Sequence, residues 1–360
     1  MTGRFEMVNG VVEEALDLPP ADRDAFVSQR CASDADLLTG VLRLLALSNS
    51  MDGFLDSPPA PLAEIRPGDV LGGRFRILEE LGAGGMGATF LAEDLQLGPV
   101  ALKTLHPEMR RDPRATERFL GEIATARAIR HPNVCPVFDL FTLDHARTGP
   151  LAACTMKYLP GETLARRLSR GPIPPAEAMQ IARGIAAGID ALHAEGIVHR
   201  DLKPDNIMLT TGRDGAVTPV IMDFGLASQP GSDAPAPISG SPDHMAPEQF
   251  RAAATAKSAD IYAFGLILFE IVAGARPFPR EDLLPAAIRR ATENAPRVGA
   301  VAPWAPRAWD VAIAHALSRD PSQRPVSASE MIEEMESQPT GRKARTIRIK
   351  GRCRRKRSVF

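Results

Sequence analysis

The texture of this chain changes at Gly161. Before it, short β-rich runs dominate: Phe75-Arg-Ile-Leu, Thr89-Phe-Leu-Ala, Val100-Ala-Leu-Lys, Asn133 to Leu140 and Leu151 to Tyr158. Branched and aromatic residues separated by turn formers read as hairpin strands. One amphipathic stretch interrupts them, Arg114 to Ile129, with Phe119, Ile123, Ala126 and Ile129 on one helical face. Beyond Gly161 the helical period takes over. Ile181, Ile185, Ile189 and Leu192 mark a long amphipathic helix predicted to end at Gly196. Strands first and helices afterwards is the order of an α+β fold in two lobes.

The chain has 360 residues, 44% hydrophobic and 24% charged, enough to bury one large core with appendages. Residues 1–56 read as a small helical segment. Phe5, Val8, Val12 and Leu16 recur at helical spacing before Pro19-Pro20 stops them, and Ser33-x-x-Asp36 caps a second run through Leu37, Val41, Leu44 and Leu45. This segment reads as a packing appendage without chemistry. Residues 57–70, opening Ser57-Pro58-Pro59-Ala60-Pro61, form a stiff linker. The main domain is assigned to 71–338, with its lobes at 71–159 and 160–338, and a basic tail to 339–360.

Charge and cysteine usage narrow the setting. Ten of the 43 Lys and Arg residues fall in Gly341–Phe360 without one acid, so the net charge of -1 divides into +10 there and -11 before it. Such a tail self-repels and is expected to be disordered. Cys31, Cys135, Cys154 and Cys353 show neither CxxC nor zinc-ligand spacing, which favours reduced thiols. Glu13, Glu14 and Asp17 interrupt any early leader, and the longest apolar run, Ile261 to Ala275, contains Glu270 and is too short to span a bilayer. The expectation is a cytoplasmic protein, at the inner face of the membrane where its tail makes contact.

Four motifs carry chemistry. Gly82-Ala-Gly84-Gly-Met-Gly87 lies between two predicted strands, where glycines let backbone N–H groups approach phosphate oxygens. A plain glycine turn gives the same pattern, whereas a dinucleotide fold would need a helix next. Lys103 closes Val100-Ala-Leu-Lys, where an ammonium can bind phosphates and be positioned by a helical acid, for which Glu122 is best placed; a surface Lys–Glu pair competes. The third motif is His199-Arg200-Asp201-Leu202-Lys203-Pro204-Asp205-Asn206. In one short loop Asp201 can orient a hydroxyl and take its proton, Lys203 can neutralise a transferring phosphoryl group, and Asn206 can hold a metal. The fourth, Asp223-Phe224-Gly225, follows the apolar Val220-Ile-Met, and Asp223 can chelate magnesium beside Asn206.

With Ala246-Pro247-Glu248 closing the next segment, residues Phe75 to Met335 resemble the catalytic domain of bacterial eukaryotic-like (Hanks-type) serine/threonine protein kinases. The resemblance implies the two-lobed kinase fold, a β-rich N-lobe with one helix and a mainly helical C-lobe. It also implies transfer of the ATP γ-phosphate to Ser or Thr of protein substrates with Mg2+ or Mn2+, autophosphorylation through a homodimer, and a role in bacterial signalling. Adenine would lie between Leu81, Thr89 and Ala101 above and Met208 below, with Met156 as gatekeeper and the backbone of Lys157 to Leu159 as hinge. Glu248 would pair with Arg324, and Asp260 would anchor the catalytic loop. Arg200 would meet a phosphorylated Ser228, Ser232 or Ser239. Lys203 is the residue that Ser/Thr-directed members carry. Like the helices of residues 1–56, a basic segment after the domain has its counterpart in some related kinases, where it leads into a membrane helix.

The chain departs from the family pattern in places. Thr89 stands where Val is usual, Lys157 replaces a commonly acidic hinge residue, and Gly240 to Met245 carries Ser and His where Thr and Tyr are usual. None of these removes a catalytic group. A pseudokinase scaffold that binds ATP without efficient transfer, and a small-molecule phosphotransferase, are the rival readings. The full catalytic set opposes the first, and the Ala-Pro-Glu and Arg324 motifs oppose the second. Nucleic acid is the disfavoured partner for the tail, which has few aromatics for base stacking. A solvated tail without a partner is the leading reading, and contact with an anionic membrane comes next, ahead of nucleic acid.

Overall fold

The structure, a computed structural model, describes residues 10–12, 14–15, 18–31, 34, 38, 41, 65–84, 87–105, 126–144, 150–212, 215–223, 242–251, 256–278, 289–290 and 293–337. The predicted helix at 114–129 lies outside these apart from its last turn, and so do the linker to residue 64 and the basic tail.

Near the N-terminus the proline pair does more than stop a helix. Pro19 is the cap and Pro20 the first residue of α1 (Pro20–Arg30), an element the hydrophobic spacing did not reveal. Proline fits a first helical turn because its missing N–H would have had no partner there. Val11, Val12, Ala15, Val27, Cys31 and Val41 form a small core of their own.

Strands β1 (Val70–Leu71), β2 (Phe75–Gly84), β3 (Gly87–Asp94), β4 (Gly98–Leu105), β5 (Val137–Leu143) and β6 (Leu151–Lys157) build one antiparallel sheet in the order β1-β2-β3-β4-β6-β5. Side chains of a strand alternate between faces. Val100 and Leu102 of β4 and Leu151 and Ala153 of β6 face the upper core with Phe75, Ile77 and Phe90. Ala101, Cys154 and Met156 instead join the large lower core. One strand thus packs its lobe with one face and roofs the cleft with the other.

The sequence reading started a strand at Asn133; β5 begins at Val137. The residues between belong to the other lobe. Cys135 N–H donates to the Ile221 carbonyl and Ile221 N–H to the Asn133 carbonyl, both at 2.8 Å. The Asn133 amide also donates to the Pro219 carbonyl at 2.8 Å. This bridge fastens the two lobes behind the cleft.

The lower lobe contains β7 (Glu162–Thr163), α2 (Leu164–Leu168), α3 (Pro175–Ala194), β8 (Ile207–Thr211), β9 (Val217–Ile221), α4 (Lys257–Ala273), α5 (Val298–Val301), α6 (Arg307–Ala316) and α7 (Ala328–Glu336). The predicted helix at 181–192 is the centre of α3. Its Gly184 and Gly188 lie directly on the lobe bridge, where a Cβ would come within 2.9 Å of Asn133 atoms and within 2.8 Å of Pro219 and Ile221 atoms. Helix α4 is buried from Ala259 to Val272 without a break. A helix apolar on all sides belongs in the middle of a core. Among the described residues no helix is long and apolar enough to cross a membrane.

Candidate active site

Five side chains drawn from three parts of the chain meet at the cleft. Lys103, near the end of β4, places its Nζ 2.7 Å from Oδ1 of Asp223, two residues past β9. Asp201 Oδ2 receives Lys203 Nζ at 2.9 Å and the Asn206 amide at 3.1 Å. The same Asn206 amide donates to the Asp201 backbone carbonyl at 2.8 Å, which fixes the loop's curvature. With its nitrogen so engaged, Asn206 presents its oxygen elsewhere.

The loop is held by Asp260, the anchor that the resemblance implied, and by two histidines, His193 and His199, to which the sequence assigned no role. Asp260, buried in the first turn of α4, accepts the backbone N–H groups of His199 at 2.8 Å and Arg200 at 2.9 Å. Its Oδ2 also lies 2.8 Å from His193 Nε2 of α3. Asp201 N–H donates to His199 Nδ1 at 3.3 Å, and His199 Nε2 lies 3.0 Å from the Met222 carbonyl. An accepting Nδ1 puts the proton of a neutral imidazole on Nε2, so the ring donates to Met222. One imidazole therefore spaces Asp201 from Asp223.

Arg200 (φ 68°) and Asp223 (φ 54°) are the two non-glycine residues with left-handed backbone among the described residues. Such conformations are costly and persist where surrounding bonds over-determine them. Both sit at the site, and Arg200 is held through Asp260.

Above the loop, the sheet register sets Thr89 opposite Gly82 on one side and Lys103 on the other. Ala101 pairs with Met156, both buried, and Leu159 is buried nearby in the lower core. Leu81 is exposed on β2, while Met208 is half-buried on β8 beside Val220. Gly82 and Gly84 end β2 and Gly87 opens β3; the Gly85-Met86 tip between them, Glu122, Phe224 and Gly225 lie outside the described residues. The Lys157 N–H donates to the Pro136 carbonyl at 3.0 Å and its side chain is exposed. Burial pushes the Cys135 and Cys154 thiols behind this roof up to about 12.

Beyond the loop, Arg324 has no exposed side-chain surface and grips Glu248 through two bonds of 2.6 and 2.8 Å. Its Nε donates to the Ser318 carbonyl at 2.8 Å. Gln249 receives the Ala246 N–H at 2.7 Å and reaches the Arg200 carbonyl at 3.5 Å, tying this segment to the loop.

A magnesium ion fits the oxygens of Asp223 and Asn206, because this hard cation takes one or two carboxylate or amide oxygens and completes its shell with phosphates and water. Among the described residues no three His, Cys, Asp or Glu side chains gather into a closed cage.

A β-rich lobe over a helical lobe, with Lys103, Asp201, Asn206 and Asp223 converging between them, defines the two-lobed architecture of phosphoryl-transfer enzymes. The sequence pattern of the protein kinase domain matches residues 75–335. The chain belongs to the protein kinase domain family. It is 33% identical over 282 residues to the serine/threonine-protein kinase pkn2 of Myxococcus xanthus, covering 73% of this chain and 32% of that protein. It is 33% identical over 269 residues to the serine/threonine-protein kinase PrkC of Bacillus subtilis, covering 73% of this chain and 40% of that protein. To the serine/threonine-protein kinase PknB of Mycolicibacterium smegmatis the figures are 34% over 280 residues, 72% and 42%. The chain thus spans about a third to two fifths of the length of these curated relatives.

Proposed function

We propose that this chain is a serine/threonine protein kinase of bacterial signalling, transferring the γ-phosphoryl group of ATP to protein hydroxyls. The observation that carries this reading is the joint placement of Asp201, Lys203 and Asn206 in one pinned loop facing Lys103 and Asp223. Each supplies a distinct part of the reaction. The glycine backbone and Lys103 hold the phosphates, with purine between Leu81, Thr89, Ala101, Met156 and Met208, and hinge contacts from the backbone of Lys157 to Leu159.

The acceptor hydroxyl approaches the Asp201 carboxylate, which orients the oxygen in line with the γ-phosphorus and receives its proton as the bond forms. Lys203, already 2.9 Å from Asp201, faces the same space and offsets charge on the moving phosphoryl oxygens. Asp223 and Asn206 would hold magnesium, which would supply charge neutralisation at the phosphates. Glu122 is the acid assigned to position Lys103 in the active form. Curated relatives named as serine/threonine-protein kinases support the choice of acceptor.

The physiological setting follows from the tail and from the family. We assign autophosphorylation between two copies, protein substrates with Ser or Thr acceptors, and location at the inner face of the membrane through the basic residues of 341–360. The test of the catalytic reading is transfer of labelled phosphate from ATP to the protein itself and to a basic test protein with Mg2+ or Mn2+. Asp201→Asn should lower the rate at least ~10²-fold, the scale of a positioned base. A wild-type protein that binds ATP and transfers nothing would make it a pseudokinase.

A further inference from the structure

Beside the catalytic loop lies a second charged cluster that the transfer reaction does not use. Arg276, three residues past α4, places Nη1 2.7 Å from Asp243 Oδ2 and Nε 3.4 Å from Glu270 Oε1. The same Glu270 oxygen lies 3.1 Å from Nε2 of buried His244. Asp243 and His244 form the turn that leads into Ala246-Pro247-Glu248, and buried Arg290 donates to the Asp243 carbonyl.

Asp243 and Glu270 each keep only 12% of their side-chain surface exposed. Carboxylates this enclosed require a cation. Burial opposes the charge on Arg276, but Glu270, Asp243 and Asp205 outweigh it and hold the guanidinium above its ordinary value. Asp205 matters because of where it is. It stands exposed in the turn Pro204–Asn206, four residues past Asp201, on the loop that receives the acceptor. Asp243 and Glu270 thus enclose one cation beside the turn that leads into Ala246-Pro247-Glu248, a segment that Gln249 ties to the Arg200 carbonyl of the catalytic loop, and Asp205 acts on that cation through its charge.

We propose that Arg276 determines substrate specificity by occupying, from within, the carboxylate cluster that would otherwise capture a basic residue of the substrate. The inference rests on the kinase reading and goes beyond it. An arginine near the acceptor would have to compete with a tethered guanidinium that needs no ordering. Losing that competition, it would meet a like charge. The enzyme therefore selects acceptors without a neighbouring arginine, and removal of Arg276 vacates Asp243 and Glu270 for one.

The experiment uses the full chain and a set of serine peptides. One parent has alanine around the acceptor; the others carry a single arginine at one of the four preceding positions or the following one. Turnover gives kcat/KM, and fluorescence anisotropy of the same labelled peptides gives binding without requiring transfer. For the wild type every arginine peptide should equal or fall below the parent. In Arg276→Ala the ratio of arginine peptide to parent should rise about tenfold at one or more positions, through KM and not kcat, the scale of a charge-assisted contact at a partly wet site. Arg276→Lys, which keeps a cation there, should retain the wild-type ratio.

A wild type that already prefers an arginine peptide overturns the proposal, whether or not the variants fold. So does an unchanged ratio in Arg276→Ala, as expected if the ion pairs only brace the segment. Absence of transfer by a wild type whose binding ratios still respond to the substitution would count against the kinase reading and leave this one standing.

Discussion

Lys103 Nζ and Asp223 Oδ1 touch at 2.7 Å although 120 residues separate them in sequence. The contact crosses from β4 of the upper lobe to the segment after β9 of the lower, so it closes the cleft. Lys103→Met should abolish this crossing and cut transfer by about 10²-fold or more, as for loss of one preorganised charge at a developing anion. Labelled ATP transfer checks it, and an unaffected melting temperature would show that the loss is one of chemistry.

Arg324 illustrates the opposite case, a charge with a structural task. Fully enclosed and bonded twice to Glu248, it cannot be truncated without stranding that carboxylate. Arg324→Ala should cost about 3–5 kcal/mol in urea unfolding. Arg324→Lys should recover little of this, since an ammonium cannot make the paired bonds.

The upper lobe carries a pH-dependent pair. Arg74 donates to Asp94 through bonds of 2.9 and 2.7 Å and holds that carboxyl below the usual carboxylate range, against the opposing effect of burial. A carboxyl lowered by folding stabilises the native state above its unfolded value and loses that contribution as pH falls through the folded one. Asp94→Asn should therefore melt below wild type at neutral pH. The gap should close as pH drops below about 4, near the ordinary Asp value. A gap that persists in acid would assign the loss to packing.

For the basic tail the expected partner is an anionic lipid surface. Near such a surface each Lys or Arg contributes up to ~1 kcal/mol, so a few engaged residues of the ten suffice for measurable association. The full chain should sediment with anionic vesicles at low salt and a version ending at Pro339 should not. Transfer activity should survive the truncation. Equal sedimentation of both would exclude the tail as the contact.

Much of the proposed site is legible in the sequence because its polar groups fall in short loops. Asp201, Lys203 and Asn206 sit within six residues, and the structure needs no more than one turn to bring them together. The β-then-helix order was equally plain, since alternation and the 3.6-residue period differ over any ten residues. The failures share a cause. Asn133 looked like the start of a strand, yet its backbone pairs with Ile221 of the other lobe, and no local pattern encodes a partner that distant. His199 stood inside a recognised motif without a role, because its function is to span from Asp201 to Met222. Arg276 carries no local signal, since its partner Asp243 lies 33 residues away. The helix at Pro20–Arg30 was missed because a proline pair reads as an end before it reads as a beginning.

Helix α4 carries Asp260 in its first turn and Glu270 in its last, and between them every residue is buried. Ten residues at the helical rise set these two carboxylates about 15 Å apart along one axis. Asp260 fixes the loop that carries Asp201; Glu270, through His244 and Arg276, helps fix the turn that leads into Ala246-Pro247-Glu248. The helix is therefore a gauge block, and the interval between chemistry and recognition is machined into it. Loops on either side can lengthen or shorten without altering that interval. One residue inserted between the two would shift Glu270 by about 1.5 Å and swing it about 100° around the axis. The loop of Asp201 would stay in place while the turn at Asp243 and His244 lost its contact with Glu270.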